Sequence, residues 1–188
     1  MKTITSIDLK AWYKTLNYQY MPFSLVEKKQ IMAKMRKINE TEAMEAQCLY
    51  FRQVLEMLVT CLANSVVPAE TVKEKRLNEK IELVSEHITS FNGIKREFHV
   101  VRAVTNGYIH GRNHNPKADK KTLFFIMTKI QKWLSTYAQY LKFQAEKNHK
   151  KSLYDSVCNS AFERMLLWGI TVVIIVGLGY FALVKLIK

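Results

Sequence analysis

Arg102, Asn106 and His110 recur at steps of four within Val101–Asn113, VRAVTNGYIHGRN. In a helix that spacing sets a guanidinium, a carboxamide and an imidazole along one face. Arginine grips a phosphate with a planar fork, and histidine moves a proton near neutral pH. Such a set suits RNA binding, or RNA cleavage in which the 2′-hydroxyl is the internal nucleophile. Arg112 and His114 follow in the donor-rich loop Gly111–Pro116. The same residues also have a purely structural reading. Asn106–Gly107 would then mark the helix terminus, with His110 near its C-terminal dipole.

Helices are the elements available to position these groups, because apolar residues recur at helical steps and no strand alternation stands out. A short helix is expected near Ile7–Tyr18, and Ser24 with Glu27 forms a capping-box pattern ahead of a second. Asn39 and Glu42 repeat that spacing before the strongest helix, where Met44, Cys48, Phe51, Leu55, Leu58 and Leu62 form one wide apolar stripe. Pro68 closes that segment. Leu77, Ile81, Val84 and Ile88 share a face of a fourth helix, and Asn92–Gly93 signals a turn. A fifth helix carries Ile94, Phe98 and Val101 towards His110. The sixth, from about Lys120 to Glu146, holds Phe124, Phe125, Trp133, Tyr137 and Tyr140. The last three could stack on RNA bases, but helical spacing reads first as core or subunit contact. The fold class is all-α, a helical bundle.

The formal net charge of +13 is uneven. Residues 93–152 carry 13 basic and 3 acidic side chains, against 13 and 11 in residues 1–92. Such a field suits RNA, DNA or an anionic membrane. Cys48, Cys61 and Cys158 are widely spaced and read as buried small hydrophobes. His87 and His99 read as surface or cap residues. No Cys/His cluster occurs, so neither a metal nor another cofactor is expected.

The C-terminal end bears on where this chemistry would take place. Met165–Val184, MLLWGITVVIIVGLGYFALV, contains no charge. As a helix it spans about 30 Å, the thickness of a bilayer core. A single-pass transmembrane helix is therefore expected over 165–187, holding the preceding domain on the cytosolic side of the cell membrane. Lys147, Lys150, Lys151 and Arg164 agree with that orientation, and nothing at the start resembles a signal peptide. Gly169, Val173 and Gly177 form a small-residue stripe beside Thr171, which suits helix packing or the lining of a pore built from several copies. A plain anchor is the simpler reading. The expected organisation is residues 1–38 as N-terminal helices packed on the bundle, 39–150 as the main helical domain, 151–164 as a connector, and then the span.

The order of elements resembles the HEPN superfamily, particularly its strand-free bacterial branch. EAMEAQCLYFRQVLEMLVTCLA (Glu42–Ala63) resembles that branch's first core helix, RLNEKIELVSEHI (Arg76–Ile88) the second, and HVVRAVTNGYIHG (His99–Gly111) the motif helix. The resemblance covers residues of about 40–145. It implies a homodimer or larger ring in which motif helices face each other, with Asn106 and His110 at the contact. Active members carry arginine immediately before the polar motif residue, and this chain has Thr105. The resemblance therefore leans towards a domain that is not an enzyme, with Arg102, Asn106 and His110 as candidates should catalysis persist.

With its terminal apolar run and basic surface, the chain further resembles the family of small membrane accessory proteins of type VI-B CRISPR systems. That implies antiviral membrane permeabilisation beside an RNA-guided, RNA-cleaving effector, with membrane lipid and further copies of the chain as partners. Two alternatives stand beside it: a membrane-tethered ribonuclease, and a tail-anchored adaptor that binds RNA or protein.

Overall fold

The computed structural model describes residues 6–111 and 119–152, together with Met165. The described residues are helical throughout their regular structure, so the all-α class holds. Two compact units divide the chain, Met1–Lys142 and Phe143–Lys188. Among the described residues no helix is long and apolar enough to cross a membrane. The expected span at 165–187 lies outside them except for Met165, which is helical and exposed. In the second unit residues 143–152 are helical, and most of the expected connector at 151–164 lies outside the described residues.

The first unit is built around its most apolar helix. Element α1 is Leu9–Leu16, α2 Leu25–Glu40, α3 Met44–Asn64, α4 Ala69–Lys73, α5 Leu77–His87 and α6 Lys95–Ile109. A 3-10 turn, Thr89–Gly93, joins α5 to α6. Residues 119–142 form α7. Helix α3 packs on α2, α5 and α6, and Phe51 meets Phe124 of α7 edge to face at 5.3 Å. All six residues of the expected stripe are buried, as are Val54, Val59, Cys61 and Ala63. The buried surface is wider than one stripe because α3 has neighbours on several sides. Burying each large side chain contributes roughly 1.5–3 kcal/mol. Burial also pushes the Cys48 thiol up to about 12 and raises that of Cys61, so both behave as small apolar groups.

Local signals set the helix starts, with one substantial correction. The Ser24–Glu27 capping box is present: the Glu27 N–H donates to Ser24 Oγ at 3.2 Å, and the Ser24 N–H to Glu27 Oε2 at 2.7 Å. The matching Asn39–Glu42 pattern does not cap α3. Asn39 lies inside α2, and its amide accepts from the Ile7 N–H at 2.8 Å and donates to the Ile7 carbonyl at 2.9 Å. A long-range pair of hydrogen bonds has displaced the local one. Ala43 is the N-cap of α3 instead, without a side-chain hydrogen bond. Buried Gln47 donates to the carbonyls of Ile38 and Thr41, closing the end of α2 from within the next helix.

Smaller differences have equally local causes. Helix α1 starts at Leu9, later than Ile7, because Asp8 caps it by accepting from the Ala11 N–H at 3.0 Å, and it ends at Leu16 with Asn17 as its C-cap. Pro68 does more than end a connection, since it is the N-cap of α4. Asn92–Gly93 closes the 3-10 turn.

Candidate functional site

Helix α6 has two unlike faces. Phe98, Val101 and Thr105 are buried on the inner side, and Gly107 is buried elsewhere on the helix. Phe98 lies in an aromatic cluster, 4.8 Å from Phe91 and 6.4 Å from Trp133 between ring centres. Ion pairs hold the helix at its flanks. Glu82 of α5 receives both Lys95 and His99, the latter at 3.1 Å, and Lys129 of α7 reaches Glu97 at 2.8 Å. The Lys95 ammonium, helped by His99, holds the Glu82 carboxyl below its ordinary value against the opposing effect of burial. These exposed pairs add about 0–1 kcal/mol each, so their main effect is orientation.

The sequence-identified candidates lie along the flank of the buried face and at the end of this helix. Arg102 and Asn106 are half-buried and one turn apart. Arg102 Nε is buried without a hydrogen-bond partner among the described residues. His110 is exposed and occupies the C-cap, one residue past the last helical position, its N–H donating to the Asn106 carbonyl at 3.0 Å. Asn106 and Gly107 are therefore interior helical residues and do not mark the terminus. The stop comes at Gly111, whose φ of +64° is the left-handed conformation that favours glycine. Arg112 and His114 lie outside the described residues.

Thr105 sits on the inner side of this helix. It is fully buried, and its hydroxyl donates to the Val101 carbonyl at 2.8 Å and to that of Arg102 at 3.2 Å. The residue just before Asn106 thus points into the core and is satisfied within its own helix.

Tyr108 is a positioning residue that the spacing argument missed. Its hydroxyl donates to Asp119 Oδ2 at 3.1 Å, joining the last turn of α6 to the first described turn of α7. Burial, reinforced by the Asp119 carboxylate, raises the Tyr108 phenol and keeps it a neutral donor. No sequence signal pairs these two, which are separated by the undescribed residues 112–118. The α7 aromatics are mostly structural: Trp133 Nε1 donates to the Ser90 carbonyl at 3.0 Å, and its ring stacks on buried Tyr137 at 5.3 Å. Tyr140 extends that row and is exposed. His87 and His99 sit at the surface, His87 Nδ1 lying 2.9 Å from the Leu83 carbonyl.

In comparisons with known proteins, no family model, no curated protein and no solved structure matches the chain.

Proposed function

We propose that the chain is a non-enzymatic membrane effector: a HEPN-like helical domain that assembles in the cytosol and gathers C-terminal spans into a permeabilising complex in the cell membrane. The observation that carries this reading is Thr105. At the motif position that needs a cation, the chain places a buried hydroxyl bonded to its own helix. Arg102 and Asn106 remain on a half-buried face, which suits a contact with a second copy. The apolar run Met165–Val184 supports membrane attachment, and Gly169, Thr171, Val173 and Gly177 suit packing between spans. The resemblance to type VI-B accessory proteins supplies the trigger in this reading, an active RNA-guided nuclease or its RNA products.

The test is dye release from anionic liposomes by the full-length protein, with labelled RNA in the same tube. Release with intact RNA is expected. RNA cleavage that disappears in His110→Ala replaces this reading with a tethered ribonuclease. A protein that stays monomeric in mild detergent overturns the assembly. Salt-sensitive RNA binding with neither release nor cleavage brings the adaptor forward.

A further inference from the structure

The N-terminal helices carry a feature that the charge balance of residues 1–92 conceals. Residues 9–36 hold six basic side chains and one acidic. Between α1 and α2 runs an open groove of about 260 Å³, with Leu16 and Met32 among its lining residues, both buried. Tyr13 and Leu25 border it and are more than three-fifths exposed, as is the adjacent Val26. Lys28, Lys29 and Arg36 line it as well, and no carboxylate does. The one acid of the segment, Glu27, is held by the Ser24 cap and lies close to Cys61 of α3. Asp8 is held in the cap of α1.

We propose that this groove and its rim dock on an anionic phospholipid surface. Two aliphatic side chains exposed on the first turn of α2 are unfavourable in water and gain by entering the boundary between headgroups and acyl chains. The tyrosine ring suits the same depth. Lysine and arginine lay their apolar stems along such a boundary and place their charges among lipid phosphates. Nucleic acid would satisfy the cations but not Leu25 and Val26, which offer no flat ring for a base to stack on. The charge and the exposed apolar tip together therefore favour lipid. The inference does not require the C-terminal run to span a membrane.

Hydrogen–deuterium exchange of the full-length protein, on phosphatidylcholine vesicles and on phosphatidylcholine–phosphatidylglycerol vesicles, tests it. Exchange in α1 and the first half of α2 slows on the anionic vesicles alone, and added salt reverses the slowing. The double variant Lys28→Glu/Lys29→Glu loses that protection while α3 exchanges as before, which shows that the fold is intact. Leu25→Ser weakens it with every charge in place. If the C-terminal run inserts into both kinds of vesicle, the difference between them still isolates the groove. Equal exchange on the two kinds of vesicle, or protection that survives the double charge reversal, overturns the proposal. So does protection of these helices by an RNA oligonucleotide and not by vesicles.

Discussion

Helix α6 and the α1–α2 pair show two ways in which a cationic helix face relates to its fold. On α6 the inner face is fully committed: Phe98 and Val101 pack and Thr105 bonds to its own helix, so the outer Arg102 and Asn106 sit on a rigid, half-buried platform. On α1–α2 the apolar side chains themselves come to the surface, and Leu25, Val26 and Tyr13 stand exposed beside lysines. The first arrangement presents polar groups that want partners of defined geometry, as the proposed second copy would supply. The second presents an apolar tip in a positive field, which wants a soft anionic surface. Charge alone does not separate them; the burial of the neighbouring apolar residues does.

The largest effects that sharpen this contrast belong to the inner face of α6. Phe98→Ala should cost about 3–5 kcal/mol, because it leaves a cavity beside Phe91 and Trp133. Thr105→Arg places a guanidinium at a fully buried site. It should also cost about 3–5 kcal/mol. Urea unfolding in mild detergent reads both. A stable Thr105→Arg protein that cuts RNA would break the comparison, because the buried position would then face a substrate after all.

The outer face predicts the reverse. Arg102→Ala and Asn106→Ala should each cost about 1 kcal/mol or less in unfolding, since both side chains are only half-buried at the edge of the core. Both should weaken self-association by about tenfold, which corresponds to about 1.4 kcal/mol at a subunit contact. Sedimentation velocity in detergent across a concentration series measures this. Unchanged assembly in both variants would remove the outer face of α6 from the interface.

How much of this was legible in the sequence follows from the range of the interactions involved. The α3 stripe and the Ser24–Glu27 box were readable because periodicity and capping are local. Asn39 carried the same local signal and was diverted by Ile7, 32 residues away, which no spacing rule anticipates. The Arg102–Asn106 pairing came from helical geometry. Tyr108–Asp119 needed the fold, because nothing on either side of residues 112–118 shows that the two meet. The α1–α2 face was hidden by averaging: eleven acidic residues over 1–92 nearly cancel the basic ones, while residues 9–36 hold only one of them. Which apolar residues remain exposed is a tertiary fact, and that is what distinguishes the two faces.

The smallest expected effect tests how firmly the α1–α2 face is held. The Ser24–Glu27 box fixes the first turn of α2, from which Leu25, Val26 and Lys28 project. Burial alone would raise the Glu27 carboxyl, but the hydrogen bonds at Ser24 outweigh it and hold the group below its ordinary value of 4.5. A carboxyl depressed in the folded state contributes stability above its unfolded value, and that contribution is lost as pH falls through the folded one. Wild-type stability should therefore decline on acidification below about pH 4.5, partly through this group. Ser24→Ala should cost about 1 kcal/mol at neutral pH and flatten that share of the decline. Urea midpoints of the two proteins from pH 3 to 7 measure it. If the cap sets the docking tip, Ser24→Ala also reduces the protection of α2 on anionic vesicles while the self-association proposed for α6 stays at its wild-type value. A parallel loss of both would mean that the two faces respond as one unit.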